Sequence, residues 1–122
     1  MKILVTDDSK IARKLVMRTL KQLLPEEDQI IEASNGLEAV ENYEKENPDL
    51  VFLDLTMPVM DGFEALEKII NINNKAKVIV ISADIQKGSM EKVSSLGALG
   101  FIKKPVNPES MKEVLKRFNN EL

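Results

Sequence analysis

The sequence predicts one α/β domain with a central parallel sheet, and three observations support this prediction. Short apolar runs rich in β-branched residues recur along the chain, and longer amphipathic segments separate them. The runs are apolar on both faces, which is typical of strands in a parallel sheet that helices cover on both sides. The chain has 122 residues, of which 43% are hydrophobic, enough for one buried core and too few for two. We therefore predict a (βα)5 doubly wound unit over residues 1–122.

Five apolar runs are the predicted strands. The first follows Met1-Lys2 and precedes two acids, and the third precedes a single acid. The predicted strands are residues 3–5, 30–31, 50–53, 78–81 and 101–102.

Five helices are predicted between and after these strands, and three of their starts carry a capping residue. Asn35 with Glu38, and Asp61 with Glu64, have the spacing of a cap residue and a glutamate three positions later. Asn107 precedes a proline at the first helical position. The last helix has the clearest apolar stripe, formed by Met111, Val114, Leu115 and Phe118.

The fourth helix, at about residues 86–96, has the weakest pattern. Gly88 lies inside it, at a cost of about 1 kcal/mol relative to alanine. Ser94-Ser95 add little helix propensity. We expect this helix to be pliable.

The composition excludes several classes of function. Cys and His are both absent, which removes disulfides, thiolate catalysis and the commonest transition-metal ligands, so a bound metal should be a hard ion held by oxygen, such as Mg²⁺. The net charge of −3, from 17 basic and 20 acidic residues, gives no electrostatic case for a nucleic-acid partner. No run approaches the roughly 18 apolar residues of a membrane helix, so we expect a cytoplasmic protein without a membrane partner.

Polar side chains with complementary chemistry follow four of the predicted strands. Asp7 and Asp8 follow the first, Asp54 the third, Ser82 the fourth and Lys104 the fifth. Because the carboxyl ends of parallel strands share one edge of the sheet, where ligands bind in open α/β folds, these groups should converge. Three clustered carboxylates repel one another unless a cation lies between them, and Mg²⁺ suits such a site.

Taken one at a time, most of these residues have simpler explanations. Asp7 or Asp8 alone is better explained as a cap of the helix that starts near Lys10. Ser82 alone suits a turn, and a lone lysine is usually solvated. Asp54 is different, because an acid directly after four apolar residues has no favourable place except the crevice.

Five motifs carry a resemblance to a known family. They are Asp7-Asp8-Ser9 with Arg13, Pro48-Asp49-Leu50-Val51 leading to Asp54, Met57-Pro58-Val59-Met60-Asp61-Gly62, Ser82-Ala83, and Lys104-Pro105. On these motifs the chain resembles response-regulator receiver domains over essentially its whole length, and most of all the stand-alone chemotaxis-type members. The resemblance implies a flavodoxin-like sheet with strand order 2-1-3-4-5.

The resemblance also implies a role for each site residue. Asp54 would be the phosphoryl acceptor, and Asp8 and Asp54 would ligate Mg²⁺ together with the backbone carbonyl of Thr56, while Asp7 assists through water. Lys104 and Ser82 would contact the phosphoryl oxygens. The bond between Lys104 and the following proline would be cis.

Further positions are implied to control output and lifetime. Ser82 and Phe101 match the switch pair, although chemotaxis members usually have Tyr where this chain has Phe101. Thr56 and Asp84 match the positions that modulate hydrolysis of the acyl phosphate. The switching face would comprise the fourth helix, the fifth strand and the fifth helix.

The function implied is that of a two-component signalling switch that catalyses only its own phosphorylation and dephosphorylation. The donor would be the phosphohistidine of a sensor kinase or histidine phosphotransfer protein, docking near Ile11 on the first helix, with Pro105 nearby. A carboxylate needs no general base to act as a nucleophile at pH 7, which suits a chain without histidine. We expect a monomer that signals to a separate output protein, with chemotaxis-type output, phosphorelay and phosphate sink all open, and with a phosphatase as a further candidate partner.

Two other classes stay open at the level of sequence. A haloacid-dehalogenase-type phosphatase would also use Asp54 as nucleophile with Mg²⁺, Ser82 and Lys104, but Thr56 stands where those enzymes carry a second Asp. A flavodoxin would share the architecture, but Asp7-Asp8 would repel the flavin phosphate.

Overall fold

The computed structural model describes residues 1–83 and 86–120, without the side chain of the last of these. Across this part of the chain, strands and helices alternate from the amino terminus onward. The strands are β1 Lys2–Thr6, β2 Gln29–Ala33, β3 Leu50–Asp54, β4 Val78–Ser82 and β5 Gly100–Lys103. The helices are α1 Lys10–Leu23, α2 Gly36–Glu46, α3 Gly62–Ile72, α4 Lys87–Ser95 and α5 Pro108–Asn120. Each predicted strand is present and extends one or two residues past one or both ends of its apolar run, because backbone pairing continues into the flanking residues.

The five strands form one parallel sheet in the order β2-β1-β3-β4-β5. The predicted flavodoxin-like order is therefore confirmed. The chain moves outward in one direction from β1 to β2 and then returns to place β3 on the other side of β1. This reversal lies between β1 and β3, and it leaves a crevice at their carboxyl ends.

The sheet separates two hydrophobic cores, because successive side chains of a strand point to opposite faces. On one face, Leu4, Val51 and Val80 pack with α2, α3 and Val93 of α4. On the other face, residues of the same strands pack with α1 and α5, and the largest of them is Phe52, which is 1% exposed. Burying a side chain of this size contributes about 2–3 kcal/mol, so the strands are held rigidly at the centre of the domain.

The predicted helix caps are confirmed. The side chains of Asn35, Asp61 and Asn107 each accept a hydrogen bond of 2.9 Å from the amide three residues later. The cap of α1 is Ser9, whose hydroxyl accepts from the amide of Ala12 at 3.2 Å. The simpler explanation of Asp7 or Asp8 as the cap of this helix is therefore wrong. The cap on Ser9 leaves both carboxylates available to the crevice.

Helix α4 is weakly anchored, in keeping with its sequence pattern. It spans nine residues, all of them described, and Val93 is the buried one. Space is open around the Cα of Gly88. A second contact comes from the ammonium of Lys92, which lies 4.4 Å from the centre of the Phe63 ring on α3.

The loop between β3 and α3 is unusually tight. The amide of Met60 donates to the carbonyl of Pro58 at 2.7 Å, which closes a three-residue γ-turn around Val59. Val59 has φ 69° and is 78% exposed. A few residues on, Gly62 leaves no room for a side chain, because a Cβ there would overlap the backbone carbonyl of Asp54. The loop is thus folded back against the end of β3.

Replacing Val59 should relieve backbone strain. A β-branched residue is disfavoured at positive φ, whereas Asn adopts this region readily. We expect Val59→Asn to raise the free energy of unfolding by about 1 kcal/mol, as measured by urea denaturation. The matched control is Val59→Thr, which keeps the branched side chain and should change stability by less than about 0.5 kcal/mol. Equal stabilisation by both substitutions would contradict the assignment of strain to Val59.

Candidate functional site

The crevice at the carboxyl edge collects three carboxylates. Asp54 is the last residue of β3, and Asp7 follows β1, which is its neighbour in the sheet. Asp7 is 4% and Asp54 5% exposed, whereas Asp8 is exposed. One carboxylate oxygen from each of the three lies within 4.8 Å of the others. The cluster predicted from sequence is therefore present.

Lys104 joins the cluster from the far side of the sheet. Its Nζ lies 2.9 Å from Oδ2 of Asp7 and 3.3 Å from Oδ1 of Asp54. Its backbone amide donates to the carbonyl of Ser82 at 3.0 Å, which ties the end of β5 to the end of β4. The bond between Lys104 and Pro105 is cis, as expected.

The electrostatics of the cluster raise two pKa values. Burial, and then the charge of Asp7, raise the pKa of Asp54 above its ordinary value of 3.8, and they outweigh the opposing effect of Lys104. Burial would lower the pKa of Lys104, but hydrogen bonds and charges from Asp7 and Asp54 outweigh it, so this pKa is raised from 10.5. At neutral pH Lys104 is therefore positively charged, and it lies among carboxylates that repel one another.

The position of Asp7 is fixed by contacts that the sequence analysis did not identify. The amide of Ser9 donates to Oδ1 of Asp7 at 2.9 Å. The guanidinium of Arg13 donates to the backbone carbonyl of Asp7 at 2.7 Å and also pairs with Glu32 on β2 at 2.9 Å. The sequence feature that could have indicated this contact is Arg13 itself, which lies one turn into α1 after the acid pair. Arg13 thus clamps the end of β1 against its neighbouring strand.

The donor set fits a hard divalent cation. All three side chains offer oxygen, and the cluster has more negative charge than Lys104 can neutralise. Burial is the main cause of the raised pKa of Asp54, and the charge of Asp7 adds to it. Thr56 is exposed in the loop that follows β3, so its backbone lies at the same edge of the sheet.

The two predicted switch residues lie on one face of the sheet. Ser82 is 2% exposed at the end of β4, and Phe101 is half-buried against the core on the α2–α3 side. Val80 pairs with Phe101 and lies two residues before Ser82, so both side chains point to the same face. The predicted modulating residue Asp84 lies outside the described residues.

An apolar cavity adjoins the cluster. It has a volume of about 400 Å³ and lies between α1 and the segment that follows β5. Its apolar walls include Ile11 and Leu15 on one side and Pro105 on the other, and Asp7 and Lys104 also line it. The site therefore opens onto a surface that a larger molecule could contact.

Comparison with known proteins identifies the family. The model of the response regulator receiver domain matches residues 3–116. This chain belongs to the response regulator receiver family. The chemotaxis protein CheY of Listeria monocytogenes is 39% identical over 117 residues, covering 96% of this chain and 97% of the relative. The sporulation initiation phosphotransferase F of Bacillus subtilis is 33% identical over 117 residues, covering 96% and 92%.

A solved structure shares both the fold and the sequence pattern. The crystal structure of the CheX–CheY complex of Borrelia burgdorferi with BeF3 and Mg²⁺ matches with a TM-score of 0.81 and 32% identity, covering 98% of this chain and 87% of that one. The receiver is thus a phosphoryl-accepting signalling switch of the two-component type, related to chemotaxis regulators. The haloacid-dehalogenase alternative has no support. Among the described residues, no helix is long and apolar enough to cross a membrane.

The acid cluster should destabilise the receiver when no cation is present. Two unit charges within 4.8 Å repel by roughly 3 kcal/mol at an effective dielectric constant near 20, and Lys104 offsets part of this. We expect Asp54→Asn to raise the free energy of unfolding at pH 7 in chelator by about 1–2 kcal/mol. Added Mg²⁺ should stabilise the unsubstituted receiver and so reduce the difference in unfolding free energy between it and the variant.

The effect should depend on pH in a definite direction. The pKa of Asp54 is higher in the folded receiver than in the unfolded chain, so the folded form binds more protons. The contribution of Asp54 to the free energy of unfolding therefore falls as the pH rises above 3.8. The gain in unfolding free energy from Asp54→Asn should therefore be absent below pH 3.8 and should grow as the pH rises above 3.8. Glu67→Gln, which removes an exposed acid on α3, is the control and should show no such profile. A pH-independent gain would reject the electrostatic explanation.

Proposed function

We propose that Asp54 accepts a phosphoryl group from a phosphohistidine donor. The observation that carries this proposal is the setting of Asp54, a buried carboxylate 3.3 Å from the ammonium of Lys104 and clustered with Asp7 and Asp8. An oxygen of Asp54 forms the new bond to phosphorus while the bond from phosphorus to the donor imidazole breaks. The transition state of this transfer is loose, so positioning and charge stabilisation are what the receiver must supply.

Mg²⁺ is the cofactor that fits this site. Asp8, Asp54 and the backbone carbonyl of Thr56 would hold the ion, with Asp7 assisting through water. When bound, Mg²⁺ supplies positive charge that offsets the carboxylates and attracts phosphoryl oxygens.

Lys104 and Ser82 bind the oxygens of the incoming group. Lys104 already lies between the two buried acids, and its raised pKa keeps it charged, so its ammonium can neutralise phosphoryl oxygen in a partly buried site. Ser82 lies at the end of β4, and the hydrogen bond from Lys104 to its carbonyl links the two strand ends. Thr56 and Asp84 are the positions that modulate hydrolysis of the acyl phosphate.

The output face is the surface of α4, β5 and α5. Ser82 and Phe101 point to the same side of the sheet as the weakly anchored α4, so a shift of the hydroxyl towards phosphate can be matched by inward packing of the ring. Phe101 has no hydroxyl, and it therefore acts through packing alone. A phosphoryl group shifts this equilibrium by its difference in affinity for the two forms.

The proposal also includes the partners of the receiver and its cellular setting. A sensor kinase or histidine phosphotransfer protein docks at α1 near Ile11 and Pro105, beside the apolar cavity, and a separate protein receives the output or the phosphoryl group. A phosphatase is a further partner. The receiver, residues 1–122, works as a cytoplasmic monomer in chemotaxis-type output or a phosphorelay and catalyses only its own phosphorylation and dephosphorylation.

Phosphorylation can be tested with a small donor. Phosphoramidate with Mg²⁺ should label the receiver with one hydroxylamine-sensitive phosphoryl group, detected by mass spectrometry, and Asp54→Asn should abolish the label. Asp49→Asn, which changes an exposed acid just before β3, is the control and should be labelled normally. Full labelling of the Asp54→Asn variant, or labelling that survives excess chelator, would falsify the proposed chemistry.

The switch pair can be tested by a double-mutant cycle. The readout is the change in amide NMR shifts of α4 and β5 when a beryllofluoride mimic and Mg²⁺ are added. Ser82→Ala removes a hydrogen bond to a charged acceptor, about 1.5–3 kcal/mol, so the shifted population should fall. Phe101→Ala should also lower it, whereas Phe101→Tyr should be tolerated. Non-additive effects are expected from a shared two-state element, and strict additivity would show that the two residues act independently.

A further inference from the structure

Helix α1 carries an unbroken ridge of positive charge. Lys10, Lys14, Arg18 and Lys21 follow one another at steps of four, four and three residues, so they lie along one side of the helix. All four are exposed. The ridge extends over roughly 16 Å, at 1.5 Å per residue.

This ridge contrasts with the rest of the molecule. Helix α1 contains five basic residues and no acid, and every other helix contains at least one acid. Outside α1 the chain has a net charge of −8, from twelve basic and twenty acidic residues. Arg13 is the α1 residue that forms an ion pair, with Glu32; across residues 1–83 and 86–120, the four ridge residues have no carboxylate within 4.0 Å.

The ridge works against the stability of its own helix. Like charges four residues apart are destabilising by about 0.2–0.5 kcal/mol per pair. Lys10 also lies at the amino-terminal end, where the helix dipole favours acids. A surface that serves only solubility would mix the two signs, as the exposed side of α5 does with Glu109, Lys112, Glu113 and Lys116.

An apolar strip runs beside the ridge. Ile11 is 81% and Leu15 37% exposed, and each directly follows a basic residue of the ridge. Both line the 400 Å³ cavity that Asp7 and Lys104 also line. The charged ridge therefore borders a cavity that two residues of the acceptor cluster, Asp7 and Lys104, also line.

We propose that α1 selects a phosphodonor protein whose surface next to its phosphohistidine is acidic. This inference rests on the proposed function, and it adds the chemistry by which the receiver recognises its donor. Charges of opposite sign would steer the two proteins together and fix their register, while an apolar side chain of the donor enters the cavity.

Nucleic acid and anionic membranes also attract basic ridges, but the surroundings favour a protein. The cluster of Asp7, Asp8 and Asp54 at the end of α1 would repel a continuous phosphodiester backbone or a sheet of phosphate headgroups. A folded donor can instead place acids opposite the ridge and its histidine opposite Asp54. The exposed Ile11 and Leu15 beside the apolar cavity suit an apolar side chain of a protein partner.

The test compares three donors and four receivers. The protein donor is a phosphorylated histidine phosphotransfer domain with Asp and Glu around its histidine, used alongside a version in which these acids are Asn and Gln. The small donor is phosphoramidate. The receivers are the unsubstituted chain, Lys14→Glu with Arg18→Glu, and the matched control Lys112→Glu with Lys116→Glu, an exposed pair of the same spacing on α5. Circular dichroism establishes that each variant is folded, and Lys14→Gln with Arg18→Gln provides a neutral intermediate.

The expected result is a loss confined to the acidic donor. Transfer from it at low salt should be slower by about tenfold or more in the α1 double variant and should change by less than about twofold in the α5 control. The dependence of the rate on salt should weaken in the α1 variant, and labelling by phosphoramidate should stay the same in all receivers.

Three outcomes would overturn the inference. The first is an unchanged rate from the acidic donor in the α1 variant, and the second is an equal loss with the acidic and the neutralised donor. The third is a transfer rate from the acidic donor to the unsubstituted chain that does not depend on salt, together with charge-dependent binding of that chain to phosphatidylserine vesicles or duplex DNA. If phosphoramidate fails to label the unsubstituted receiver, the proposed function itself fails and takes this inference with it.

Discussion

Repulsion between carboxylates that the sheet holds side by side is the constraint on which the rest of the receiver depends. Asp7 directly follows β1, and Asp54 is the last residue of the adjacent β3; both strands are buried on both faces, so neither acid can move away without disrupting the sheet. Lys104 offsets part of the repulsion, and burial together with the charge of Asp7 still raises the pKa of Asp54. Because its carboxylates repel one another, the site responds strongly to a cation or to a new anionic group, either of which changes the balance of charge.

The loops around the cluster keep it in this state. The Ser9 cap and the Arg13 clamp fix the end of β1, and the close approach of Gly62 to the backbone of Asp54 fixes the end of β3. On the far side, the hydrogen bond between Lys104 and Ser82 joins β5 to β4. These contacts use backbone groups, and they therefore hold the site without occupying the side chains that do the chemistry.

Much of this arrangement could be predicted from the sequence. Apolar runs and capping residues fix the order and approximate limits of the elements, and parallel topology brings Asp7, Asp54 and Lys104 to one edge. The strand order needed the family resemblance, because periodicity alone does not say which strands are neighbours. The sequence places Arg13 near the acid pair, but its contact with Asp7 depends on tertiary distances. The turn at Val59 could not be foreseen, because its backbone conformation disfavours the residue present.

The two cores of the sheet also have an evolutionary consequence. Ile11 lies on the side of α1 and α5, whereas Phe101 packs on the side of α2 and α3. On the roles proposed for these residues, substitutions around Ile11 would alter which donor protein docks without disturbing the packing of Phe101, and substitutions of Phe101 would alter output without changing the docking surface. In duplicated copies of such a gene, input and output could diverge separately and generate new circuits without losing a working intermediate.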